Sequence, residues 1–253
     1  MERSELFKTV SAGKSASIKL YLCFYNPEEV YRALTTNQQV KKWLDFISNH
    51  YKPPKKKVLL IYPCSRQKPY YKSQSYRQLF KTLSALRNDR DDVHLMTISE
   101  PFGLVPEEFF GKKTEWHDWK SGWYDCPGLF KWWCHKYGQP YSYEYLGKCV
   151  DQLAMCVGKF LNKAQRGRSY RRIIAFVRTY SSGLKRRQDH THRRIIERAA
   201  AIAKVKVDIL PTRDLVSNIV ASSGRYAWDR YGVAHPIAQQ FLLKHLRGVT
   251  NED

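Results

Sequence analysis

KVLLIYPCSRQKPYYKSQSYRQLFKTLSALRN, residues 57–88, decides the fold. After Lys57, residues 58–62 form an apolar run, as expected of a strand buried on both faces. Pro63 closes the run, and from Ser75 onward Leu79, Leu83 and Leu86 recur at helical spacing. Strand, polar loop and amphipathic helix make the first half of a parallel βα unit. The loop is chemically dense, with Cys64, Arg66, Lys68, Tyr70 and Ser73 in close succession and Tyr76 just beyond.

The same rhythm continues downstream. DVHLMTIS (92–99), RRIIAFV (171–177) and VKVDIL (205–210) read as strands, while 144–164 and 191–204 read as amphipathic helices. Alternating strands and helices predict an α/β fold with a mainly parallel sheet flanked by helices. Upstream, Pro27 with its acidic first turn, then Val40, Trp43, Leu44 and Ile47, predicts helix over 27–50. The basic linker YKPPKKK (51–57) then separates an N-terminal helical appendage, 1–54, from an α/β catalytic domain, 55–253. At the far end, SGRYAWDRYG (223–232) reads as a polar aromatic loop and PIAQQFLLKHL (236–246) as a C-terminal helical segment.

Composition narrows the function. Forty-four Lys and Arg against 23 Asp and Glu leave a net charge of +21 over 253 residues. A surplus of that size repels itself, and a polyanion is its natural partner, nucleic acid above all. No apolar run reaches the roughly 20 residues of a membrane helix, and the N-terminus lacks a signal-peptide core. A cytoplasmic protein with no membrane partner is expected. The six cysteines show no CxxC, and the spacings of Cys126, Cys134, Cys149 and Cys156 do not fit the usual zinc sites. No metal and no cofactor is therefore expected.

In a parallel sheet, ligands bind beyond the carboxyl ends of the strands. Four segments with candidate chemistry compete for that place. Cys64 follows the first strand beside Arg66 and Lys68, cations that favour a thiolate; the alternative is a buried structural thiol. Lys68 also suits an anion, and Tyr70 or Ser73 a proton or hydrogen bond. Glu100, at the tip of the second strand, suits a general acid or base, and Gly103 allows backbone to approach a flat ligand. In WHDWKSGWYDCPGLFKWW (116–133), aromatics interleaved with charge suit base stacking, and Trp132 and Trp133 equally suit a core edge. In VRTYSSGLKRRQDHTHRR (177–194), Arg178, Lys185, Arg186, Arg187, Arg193 and Arg194 follow a strand and suit phosphate contacts. His190 and His192, two apart, share no helical face and make a poor metal pair.

The loop at 63–76 resembles the signature of archaeosine synthases: Pro-Cys, three residues, Lys-Pro-Tyr, two residues, Ser, two residues, His. Pro63, Cys64, Lys68, Pro69, Tyr70 and Ser73 match, and Tyr76 stands in the histidine position. ISEPFGLVPEEF (98–109) and WYDCPGLFKWW (123–133) resemble two further family segments, so the likeness runs collinearly over about residues 57–180. It departs at Tyr76 and at Glu100, where the family has serine, and it includes no transglycosylase-like or PUA-type RNA-binding portion.

The resemblance implies an enzyme acting on the nitrile of 7-cyano-7-deazaguanine in nucleic acid. A short and very basic version is similar to the DpdC-type component of bacterial 7-deazaguanine DNA-modification systems. DNA carrying the cyano base is then the expected partner, with other proteins of such a system. The expected reaction is hydration to the 7-amido base, a nitrile hydratase-type hydro-lyase reaction. Cys64, Lys68, Tyr70 and Glu100 become the expected catalytic residues. Pro63, Ser73, Tyr76, Gly103, Tyr124 and Asp125 are the expected substrate contacts, and Arg66 joins the six basic residues of 178–194 on nucleic acid. The alternatives are archaeosine-synthase-like amine addition in tRNA and a non-catalytic nucleic-acid-binding module. Whether the base is read in the major groove or flipped out stays open.

Overall fold

Five strands form one sheet in the order β3-β2-β1-β4-β5. β1 (Lys56–Pro63) lies at its centre, parallel to β2 (Val93–Ser99) on one side and β4 (Tyr170–Phe176) on the other. β5 (Asp208–Leu210) extends the parallel run beyond β4, and β3 (Gly103–Pro106) folds back antiparallel outside β2. The computed structural model describes residues 5–7, 20–65, 67, 70–110, 124–183 and 190–251. It is the α/β sheet with helices at both termini that the alternation of elements predicts.

The apolar run of β1 is explained by its place: Val58 to Tyr62 are fully buried, because helices cover both faces. α3 (Gln74–Ser84) carries the chain from β1 to β2, and α6 (Thr191–Ala203) carries it from β4 to β5. These crossovers leave the centre in opposite directions, so their common hand places them on opposite faces. α3 packs with α8 (Pro236–Thr250) on one face. On the other, α6 lies along α5 (Tyr143–Arg166), which also packs against α1 (Pro27–Thr36). The strand order reverses between β1 and β4, which opens a crevice at their carboxyl ends.

The described part of residues 1–54 is built into this interior. Val30, Leu34, Trp43 and Ile47 of α1, α2 (Gln38–Asp45) and the following turn belong to the same hydrophobic cluster as β1 and β2. Trp43 ties them to the sheet directly: its indole Nε1 donates to Phe102 O (3.0 Å) and Leu104 O (3.2 Å). Those carbonyls flank Gly103, whose φ of +65° makes the turn and whose Cα faces Leu44, Val157 and Leu153. The turn that follows Glu100 is thus pinned from the N-terminal helices.

One expectation is corrected. Residues 223–231 are not a loop but the second half of α7 (Arg213–Tyr231), which Gly224 interrupts at φ +80°. Trp228 anchors that half, fully buried with its Nε1 donating to Tyr180 O (2.9 Å). The segment after Glu100 turns at Gly103 and returns along β2 as the edge strand β3. Among the described residues, no helix is long and apolar enough to cross a membrane.

Trp43→Phe removes the donor of two buried carbonyls and is expected to cost about 1–3 kcal/mol in urea unfolding. Trp132→Phe, at an exposed position, is expected to change stability by less than about 0.5 kcal/mol.

Candidate active site

Three strand ends deliver three reactive side chains to the crevice. Cys64 directly follows β1, and its backbone N–H donates to Ile98 O of β2 (2.9 Å). Glu100 directly follows β2. His192 stands in the first turn of α6, past the loop that leaves β4. His192 Nε2 lies 2.9 Å from Glu100 Oε2 and 3.7 Å from Cys64 Sγ. Glu100 is 1% exposed and His192 2%, whereas Cys64 is half-buried.

The electrostatics follow from that burial. Desolvation alone would push His192 towards neutrality, but the Glu100 carboxylate and the Cys64 sulfur outweigh it and raise its pKa to about 10. An imidazolium is therefore the resting form at neutral pH. Sulfur and carboxylate address the same ring nitrogen, so the arrangement is branched, unlike a linear relay through both nitrogens. A proton on Nε2 can serve either neighbour. Among the described residues, Glu100 Oε1 and His192 Nδ1 are buried without a hydrogen-bond partner. Glu100 Oε1 is thus an acceptor left for a substrate group or a water.

The donor atoms of Cys64, Glu100 and His192 all lie within 4.8 Å of one another. Thiolate, imidazole and carboxylate are the ligand types of a catalytic zinc site, so these three side chains could also hold such an ion.

A buried hydroxyl chain backs the site. Tyr70 OH lies 2.5 Å from Tyr124 OH, which in turn bonds Ser99 Oγ. Burial, with the nearby Cys64 charge, raises the Tyr70 phenol far above its ordinary range, so it stays protonated and can donate. Tyr76 stacks on Tyr70 at 5.1 Å and donates to Pro63 O (3.2 Å), also bonding Thr97 Oγ1. Tyr76 thus fastens the end of β1 from behind.

The other residues singled out by sequence fall in different places. Ser73 caps α3, its Oγ accepting from Tyr76 N (3.2 Å). Gly103 serves core packing at the β2–β3 turn. Asp125 is buried, its backbone bonded to Leu22 and Phe24. Arg178 turns inward: its guanidinium donates to the carbonyls of Trp228 (2.9 Å) and Asp229 and lies over the Trp228 ring. Gly232 leaves room for it, since a Cβ there would stand 2.5 Å from Arg178 Nε. Arg193 is 7% exposed and faces Glu197, while Arg194 is half-buried. Arg66, Lys68, Pro69, Lys185, Arg186 and Arg187 lie outside the described residues, as do Trp116, Trp119 and Trp123.

His192 is the residue that sequence reasoning missed. It was weighed only as half of a metal pair with His190, and the chain offers no local cue that it meets Cys64. The available signal was topological: a histidine opening the helix after the strand on the far side of the switch point must face the same crevice.

Residues 40–115 match a family described as a domain of unknown function, DUF5591. That stretch contains Cys64 and Glu100 but not His192. The chain is 37% identical over 99 residues to archaeosine synthase subunit alpha of Thermococcus kodakarensis, covering 35% of this chain and 17% of that protein. It is 29% identical over 151 residues to archaeosine synthase subunit alpha of Thermoplasma acidophilum, covering 59% and 23%. The counterpart of Methanosarcina acetivorans is 40% identical over 70 residues, covering 28% and 11%. The matched stretches thus span less than a quarter of these relatives' own length. The crystal structure of AF0587, a protein of unknown function, aligns with 81% of this chain and 49% of its own at TM-score 0.44 and 19% identity. The chain is archaeosine-synthase-like over part of its length, and residues 40–115, which the DUF5591 family model matches, carry two of the three crevice residues.

Two measurements check the site. Iodoacetamide at neutral pH is expected to label Cys64 first by peptide mass spectrometry. Burial pushes the Cys134 thiol up to about 11 and raises Cys149 and Cys156 as well. His192→Gln should slow that labelling. The raised His192 pKa also predicts a pH profile of stability. Its contribution is complete below about 6.5 and is lost progressively as pH rises towards about 10. Thermal melts of His192→Gln should lack that decline.

Proposed function

We propose that this protein is an enzyme that hydrates the nitrile of 7-cyano-7-deazaguanine in DNA to the carboxamide, with Cys64 as its nucleophile. One observation carries the reading: a half-buried thiol 3.7 Å from an imidazole that is itself held by a buried carboxylate. Thiol, imidazole and carboxylate within reach of one another are the groups that nucleophilic catalysis by cysteine uses. The likeness to archaeosine synthases supplies the electrophile, and the +21 charge supplies the polyanion.

The steps balance as a hydration. The Cys64 thiolate adds to the nitrile carbon, and the nitrogen takes the proton from His192 Nε2, giving a thioimidate and a neutral imidazole. Water then adds to the same carbon. One of its protons passes through His192 to the nitrogen, and the other stays on oxygen. As the C–S bond breaks, the thiolate leaves and the hydroxyl proton returns to His192. The products are a carboxamide and the starting ion pair. Glu100 keeps the imidazolium in place, and its free Oε1 can orient the water. Tyr70 and Tyr124, kept protonated, form with Ser99 the hydroxyl chain behind the thiol.

A thioimidate can equally be opened by an amine, and the resemblance to archaeosine synthases favours that second reading, on tRNA. Nucleoside mass spectrometry after incubation separates them. Cyano-base DNA is expected to gain the mass of one water without any added amine. Change on tRNA alone, and only with an amine present, would replace the first reading by the second. Glu100→Gln and His192→Gln are each expected to slow DNA turnover by about 10²–10⁴-fold.

A further inference from the structure

A cavity of about 670 Å³ opens beside the three residues, among the starts of α4 (Lys131–Lys136), α5 and α6 and the loop after β4. Its volume lies within the roughly 300–1,000 Å³ range of small-ligand pockets. Phe130 and His190 line it and also reach the site: their rings lie 6.5 Å and 5.0 Å from the His192 ring. One layer of side chains separates the cavity from the reacting atoms.

The other walls are aromatic and charged. Trp132 and Tyr143 are 61% and 62% exposed, although large aromatics ordinarily bury their rings. The next residue, Trp133, does so, stacked on Tyr25 at 5.5 Å. Two consecutive tryptophans thus divide between core and cavity. Lys131 Nζ donates to Tyr143 OH (2.8 Å) and lies 5.1 Å over that ring. Arg178 brings a second cation to the wall, and the acidic member, Asp229, turns its carboxylate to Ser182 Oγ (2.8 Å). His190 Nδ1 is buried at this wall with no hydrogen-bond partner among the described residues.

Exposed rings beside cations, with an unpartnered polar side chain at the back, are the elements of a platform for an unpaired nucleotide. We propose that this cavity stacks the nucleotide next to the modified base in a single strand of DNA, with Trp132 and Tyr143 as the platform and His190 facing the base edge. The inference rests on the reading of Cys64, His192 and Glu100 as a site acting on a base in DNA, and adds that the strand is bound unpaired. A base within a duplex already has both faces covered by its neighbours and cannot stack on Trp132. The burial of Glu100 and His192 agrees, because a substituent in the major groove would have to reach below the protein surface.

The test uses the full chain and an unmodified, dye-labelled single-stranded DNA oligonucleotide, with affinity read by fluorescence anisotropy. Trp132→Ala is expected to weaken binding at least five-fold, Tyr143→Ala to do likewise, and Trp132→Phe to restore most of the loss. Binding of the same sequence as a blunt duplex should be unchanged by Trp132→Ala. On a cyano-base strand, an abasic residue beside that base should erase the difference between wild type and Trp132→Ala. Equal affinity of wild type and Trp132→Ala for the single strand overturns the proposal, as does a stronger preference for the same sequence in RNA. The oligonucleotide carries no nitrile, so this result stands or falls separately from the product analysis: hydration can fail while the platform holds, and the reverse.

Discussion

A carboxylate removed from water is stable only beside a cation, and the buried pair of Glu100 and His192 is the constraint around which this site is built. Taking either charge into the interior alone costs several kcal/mol, so each fixes the place and charge of the other. The pair joins the end of β2 to the start of α6, two elements 92 residues apart in sequence. The imidazolium that balances Glu100 also faces Cys64 Sγ. Carboxylate and thiol therefore share one ring nitrogen, and removing His192 would take that partner from both.

The sheet order brings the three residues together. Strand β1 is central and the order reverses beside it, so only there do the ends of β1, β2 and β4 open into one crevice. The surrounding structure holds those ends still. Trp43 pins the turn after Glu100, Tyr76 fastens the carbonyl of Pro63, and Ser73 caps the helix that leaves the Cys64 loop. Several residues of the archaeosine-synthase-like motif thus hold the backbone around Cys64. Tyr76, in the family's histidine position, is one of these, and the histidine beside the Cys64 sulfur is His192.

Much of this was legible in the sequence for definite reasons. VLLIY and IIAFV are apolar runs, and a central parallel strand must read that way. Cys64 and Glu100 were legible because each directly follows a strand, where side chains face the crevice. His192 was not, because its role depends on a contact made across the sheet, and nothing within a few residues of it signals that contact. The second half of α7 was misread because Gly224 and a polar aromatic composition mimic a loop, whereas burial of Trp228 decides the matter. Arg178 and Arg193 looked like phosphate contacts by composition alone. The structure turns one onto backbone carbonyls and buries the other.

The claim that Cys64 forms a covalent bond with the substrate is tested most directly by intact-protein mass spectrometry during turnover of the cyano nucleoside or a short cyano-base strand. The account predicts an adduct equal to protein plus substrate, mapped to the peptide containing Cys64, enriched in Glu100→Gln and absent from Cys64→Ala. A Cys64→Ala protein that hydrates the substrate at the wild-type rate, with no adduct in either protein, would contradict it.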